Sequence, residues 1–193
     1  MTLAVGGCTL SGPAQIFSSD YRARRDMGYQ LPGIPIYKVP KKYHRQVVDY
    51  ETSEEPGTIV VETGEKHLYF VMPEGKAMRY GIGVGREGFE WKGTARVARK
   101  AEWPVWTPPA AMIGRQPELA KWRGGMPPGV TNPLGARALY LYNGGGDTGY
   151  RLHGTPEWFS IGQAMSSGCI RLINQDIIDL YERAGVGAKV IVR

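Results

Sequence analysis

His153 and Cys169 are the pair in this chain whose types and spacing suit nucleophilic chemistry, sixteen positions apart in the stretch 150–176, YRLHGTPEWFSIGQAMSSGCIRLINQD. A thiol is a weak nucleophile until it loses its proton, so a cysteine used for acyl transfer needs an imidazole to take that proton. His153 is the one histidine close to Cys169 in sequence, since His44 and His67 lie far upstream. Ser166, Ser167 and Gly168 lead into the cysteine, where Gly168 lets backbone approach a reacting carbonyl and the amides around Cys169 are candidates for an oxyanion hole. Gly154 follows the histidine, and Arg171 supplies a cation two residues after the cysteine for a carboxylate. A free cysteine alone is more often a small core residue. The glycine-bracketed, cation-flanked setting is what marks this one as a site.

The elements that must hold these residues are mostly strands. The chain has 27 glycines, 14 prolines and 11 tyrosines, and its apolar runs are short and β-branched or aromatic, which predicts a mainly β fold with many turns. Runs at 58–62 and 66–71 flank Thr63-Gly64-Glu65 as a hairpin, and 78–84 offers a third strand. The glycine-rich 81–85 stretch superficially resembles a dinucleotide loop, but no βαβ unit follows, so it reads as a β-turn. Strand character returns at 138–142, 150–152 and 188–193. One helix is clear: Asn174 as N-cap, Asp176 in its first turn, and Ile173, Ile177, Leu180, Tyr181 and Ala184 at helical spacing before Gly185. His67 leads a strand and reads as edge cover. The proline- and tryptophan-rich 103–129 segment reads as an ordered flap whose Trp103, Trp106 and Trp122 are candidates to line a groove for sugar or peptide. Tyr150, beside the histidine, joins Trp106 as a candidate substrate contact.

At 193 residues the chain fits one domain plus a tail, with room for a core that needs no disulfide staples. We divide it into an N-terminal arm, 1–56, and a catalytic domain, 57–193. The arm carries Pro32, Pro35 and Pro40 and basic patches at 21–25 and 41–45, and reads as exposed and partly ordered, with His44 a solvated surface residue. Val5-Gly6-Gly7-Cys8 resembles a bacterial lipobox, which makes Cys8 a candidate lipid anchor; the preceding apolar run is short and lacks a positive n-region. A Cys8–Cys169 disulfide would consume the candidate nucleophile and is not expected. No stretch approaches the roughly 18 apolar residues of a membrane span. The net charge of +6 suits an anionic surface, but the basic residues are scattered and match no nucleic-acid-binding motif.

The ordered combination HGT, SIG and SGCIRL…N.D, with the upstream GVGR and WTPP segments, resembles the L,D-transpeptidases, the YkuD-like family of bacterial cell-wall enzymes, over residues 57–193. The family places Ser/Thr-His-Gly-Cys after the upstream histidine, and Ser167 stands here where that second histidine is usual. The resemblance implies a β-sandwich-like catalytic fold, no metal or other cofactor, and location in the periplasm or cell envelope. It implies Cys169 as nucleophile and His153 as base, oriented through its other ring nitrogen by a backbone carbonyl near Gly154. Amides at Gly168 and Cys169 would stabilise the oxyanion, and Ser166, Ser167, Gly168 and Arg171 would line the site. The implied substrate is a peptidoglycan tetrapeptide stem, and the acceptor a second stem, water or an envelope protein. Papain-like peptidases place cysteine before histidine, the reverse of the order here. A rival of another class is a non-catalytic wall-binding lipoprotein, motivated by Ser167 and the basic arm.

Overall fold

The run Ile59-Val60-Val61 and the run Leu68-Tyr69-Phe70-Val71 fold back on each other because alternate side chains must enter two different apolar layers. Ile59, Val61 and Leu68 enter the main core, while Val60, Tyr69 and Val71 pack with Ala77 on the opposite face. This hairpin lies near the middle of the sheet in a computed structural model that describes residues 18–87 and 91–193.

The strands, in chain order, are β1 (Arg24–Asp26), β2 (Tyr29–Leu31), β3 (Gln46–Asp49), β4 (Ile59–Glu62), β5 (His67–Met72), β6 (Lys76–Gly81), β7 (Val84–Gly85), β8 (Gly93–Glu102), β9 (Arg137–Asn143), β10 (Gly146–Thr155), β11 (Ala164–Ser166), β12 (Ile170–Ile173) and β13 (Lys189–Val192). Among the described residues the α-helices are α1 (Ala110–Arg115) and α2 (Asn174–Arg183). Nine strands form one sheet in the order β12-β10-β9-β8-β13-β4-β5-β6-β3, with β1–β2 and β7–β11 as separate pairs. The sheet curls back on itself, for Gly83, just past β6, exchanges both backbone hydrogen bonds with Arg171 of β12, each 2.9 Å. Such curling buries one sheet face, as the mainly β, sandwich-like expectation requires. Ile177 and Leu180 of α2 lie in that core with Leu139, Leu141, Leu152 and Leu172.

The Gly81–Gly85 stretch is backbone packing rather than a phosphate cradle. A Cβ on Gly81 would stand 2.4 Å from the Tyr43 carbonyl oxygen, and one on Gly83 2.9 Å from that of Ser160, so only glycine fits.

Four expectations are corrected. The described part of the N-terminal segment is no exposed arm: Tyr21 is 1% exposed, Leu31, Val39 and Tyr43 are buried, and β3 extends the main sheet along β6. Its core residues are isolated apolars among charges, a pattern without periodicity that only distant partners complete. His44 is half-buried, its Nε2 2.8 Å from the Val39 carbonyl oxygen. His67 is buried under the same segment and bonds the Lys42 carbonyl at 2.9 Å. Trp103 is 5% exposed, stacked on Tyr29 and bonded through its indole N–H to Asp26 at 2.6 Å, so it is core rather than groove lining. Residues 1–12, with Cys8, lie outside the described residues.

Candidate active site

Strand register brings the two candidate catalytic residues to one face. β10 and β12 run parallel with Leu152 opposite Ile170 and His153 opposite Arg171. Leu152, Ile170 and Leu172 point into the core, so by alternation Arg151, His153, Cys169 and Arg171 share the other face. Cys169 sits one residue before β12, alongside Arg151 and diagonal to His153.

His153 is 5% exposed and its Nδ1 lies 2.6 Å from the Gly154 carbonyl oxygen. A carbonyl can only accept, so Nδ1 carries the hydrogen and Nε2 keeps its lone pair. Burial pushes the imidazole down to about 4, with the Arg171 and Arg151 guanidinium groups acting in the same direction and the Gly154 bond opposing them. The ring is therefore a neutral base at pH 7.

Cys169 is half-buried, its thiol directed to the Gly149 carbonyl at 3.9 Å. Burial pushes the thiol up, against the pull of the Arg151 backbone N–H and of the two guanidinium groups. The resting pair is thus thiol and neutral imidazole. From this state the thiol can attack a carbonyl only as its proton leaves.

The turn before Cys169 is braced from within. Ser166, buried, donates from Oγ to the Cys169 carbonyl at 2.6 Å and accepts from the Gly168 amide at 3.2 Å. This occupies the Gly168 amide, so of the two donors expected for an oxyanion hole that one is committed to Ser166. Gly168 has φ +120°, a conformation that L side chains rarely adopt. β11 enters this turn paired in parallel with β7, which anchors the backbone leading to Cys169. Ser167, in the place of the usual family histidine, is exposed.

Arg171 is positioned in the sequence to offer its charge to a ligand carboxylate. It is 9% exposed and donates from Nη1 to Glu157 at 2.9 Å, while Nε and Nη2 are buried without a protein partner. Its carboxylate partner in the structure is thus within the chain. Tyr150 is half-buried and stacks on Trp91, ring centroids 5.4 Å apart. Trp106 is half-buried within the flap, where its backbone pairs with Met126.

Sequence reasoning missed Arg151, Glu157, Trp91 and Asn174. Arg151 holds Asp147 with both terminal nitrogens, at 2.7 and 2.9 Å, and lies over the Tyr140 ring. Its parity with His153, two residues on in one strand, was the available signal. Asn174 is not the N-cap its position suggests: Ile173 occupies that place, and the Asn174 side chain bonds the Ala136 amide just before β9 and the Thr155 carbonyl of β10. Among the described residues no three His, Cys, Asp or Glu side chains converge as metal ligands, and no helix is long and apolar enough to cross a membrane.

A family model described as the L,D-transpeptidase catalytic domain (YkuD) matches residues 56–192. The probable L,D-transpeptidase YbiS of Escherichia coli is 32% identical over 197 residues, covering 92% of this chain and 59% of its own length. The chain therefore spans about three fifths of that curated relative. A Brucella melitensis crystal structure described as a probable carnitine operon oxidoreductase is 42% identical, with TM-score 0.56 over 82% of this chain and 99% of its own. The Enterococcus faecium L,D-transpeptidase C442S mutant has TM-score 0.52 at 16% identity, over 72% of this chain and 50% of its own, a likeness of fold. The oxidoreductase description stands apart from the others, and Gly81 and Gly83, in the stretch that superficially resembles a dinucleotide loop, are accounted for by backbone packing. The family match extends over most of the chain and contains His153, Cys169 and the strands that align them: this protein belongs to the YkuD family of L,D-transpeptidases.

Proposed function

We propose that this chain is a peptidoglycan L,D-transpeptidase acting in the cell envelope by cysteine acyl transfer. The observation that carries the reading is the His153 Nδ1–Gly154 O bond, which leaves Nε2 as an acceptor on the face shared with Cys169. Cys169 Sγ attacks the carbonyl of the third residue of a tetrapeptide stem as its proton passes to His153 Nε2. The oxyanion is stabilised by the Cys169 amide, and the Arg151 and Arg171 guanidinium charges favour negative charge at the sulfur. Collapse breaks the peptide bond, His153 returns the proton to the leaving amine, D-alanine departs, and a thioester remains. The amine of a second stem's diamino acid then attacks the thioester, forming a 3→3 cross-link and releasing the thiol.

Transfer to water would make the protein an L,D-carboxypeptidase, and transfer to a protein amine an anchoring enzyme. Both share the acyl-enzyme. Intact-mass spectrometry after incubation with a carbapenem tests that common step: an adduct lost in Cys169→Ala is expected. A wild-type protein that stays unmodified while folded would favour the non-catalytic wall-binding reading.

A further inference from the structure

The His153 ring is fixed by a carbonyl, so whatever holds that carbonyl governs which ring nitrogen faces the nucleophile. Asn174 is 4% exposed and follows directly on β12, the strand that Cys169 leads into. Its Oδ1 accepts from the Ala136 amide at 2.9 Å and its Nδ2 donates to the Thr155 carbonyl at 3.1 Å. One buried side chain thus ties Ala136, the residue just before β9, to the end of β10, on the peptide immediately after the one that holds His153. The contact is close: a Cβ on Gly154 would stand 2.2 Å from Asn174 Oδ1, and one on Gly135 equally near. Neither glycine could carry a side chain while Asn174 keeps its place. The same peptide leads outward, since Thr155 Oγ1 accepts from the Glu157 amide at 3.1 Å and Glu157 holds Arg171.

We infer that Asn174 is a positioning residue for the His153 base: it clamps the 154–155 backbone so that the Gly154 carbonyl captures Nδ1–H and Nε2 is left to take the Cys169 proton. Oδ1 can only accept and Nδ2 only donate, so the amide satisfies both strands at once, which neither a carboxylate nor a methyl can do. The inference rests on His153 being the proton acceptor of the proposed reaction.

The test measures His153 tautomer and turnover in wild type, Asn174→Asp and Asn174→Ala. In 15N-histidine-labelled wild type, the His153 signals, identified by their loss in His153→Ala, are expected to show hydrogen on Nδ1. Both Asn174 variants should show mixed tautomers. Their kcat for D-alanine release should fall about tenfold or more with KM within about twofold, a share of what general base catalysis contributes. Val60→Ala, on the far face of the sheet, serves as a control for lost stability and should keep wild-type tautomer and kcat. Hydrogen on Nε2 in the wild type would overturn the inference whatever the variants do. So would a folded Asn174→Asp with wild-type tautomer and kcat, or the same tautomer loss in Val60→Ala. Failure of the underlying reading looks different: His153→Ala would retain turnover.

Discussion

Replacing His153 should change how stability depends on pH, with a sign set by its burial. In the folded protein the imidazole is pushed down to about 4 from an ordinary 6.5. The unfolded chain therefore binds a proton between those values that the folded chain refuses, so the contribution of His153 is intact above about 6.5 and is lost as pH falls toward 4. The gap is worth about 3 kcal/mol, at roughly 1.4 kcal/mol per pH unit. His153→Ala removes it and adds a cavity cost that does not vary with pH, so the variant should gain on wild type by about 3 kcal/mol between pH 7 and pH 4. Asp176 supplies an opposite-signed control. Burial pushes its carboxyl up to about 7 despite Arg45 and the Tyr21 hydroxyl, which donates to it at 2.9 Å. Its contribution is full below about 3.8 and is lost as pH rises through 7, so Asp176→Asn should gain on wild type in the other direction, by about 4 kcal/mol. Urea unfolding of the three proteins at half-unit steps from pH 4 to 8 gives both differences, free of contributions common to all. Variant-minus-wild-type curves that stay flat, or both tilt the same way, would refute the burial argument.

Turnover should follow the same logic: the acid limb of kcat/KM, which reports the free enzyme, should fall at about pH 4 rather than at the usual histidine value, checked by a pH–rate profile of D-alanine release. Arg151→Met removes a cation that favours the Cys169 thiolate and should slow carbapenem acylation about tenfold at pH 7. Its Tm should change little, because the Asp147 partner is exposed; stopped-flow acylation at the wild-type rate would remove Arg151 from the mechanism. Tyr43→Ala should destabilise by about 3 kcal/mol in chemical denaturation, since this buried ring packs with Tyr21, Val39 and Ile161 and joins the N-terminal segment to the loop before Cys169.

That His153 and Cys169 come to one face, and that α2 is a helix, was legible because the signals are local: a motif within twenty residues, and apolar side chains at helical spacing. The hairpin β4–β5 was legible for the same reason, with two apolar runs about one glycine-containing turn. The packing of 18–56 was not legible, because Tyr21 completes its hydrogen bond with Asp176, 155 positions away, and nothing near Tyr21 announces that partner. Arg171 illustrates another limit. Its charge suited a ligand, but the curl of the chain through 156–160 brings Glu157 to it first. Asn174 shows how a residue with a good local explanation can be used elsewhere. Asparagine before an apolar helix face reads as a cap, yet tertiary contacts set its side chain between two strands.

Mass spectrometry of the products formed from purified disaccharide-tetrapeptide reads the acyl donor and the acceptor in one experiment. Wild type should form a dimer lacking one D-alanine, which is absent with Cys169→Ala and nearly absent with His153→Ala. Tripeptide or a protein adduct in its place would reassign the acceptor while keeping the acyl-enzyme. Substrate left unchanged by folded wild type, or dimer formed undiminished by Cys169→Ala, would contradict acyl transfer through Cys169.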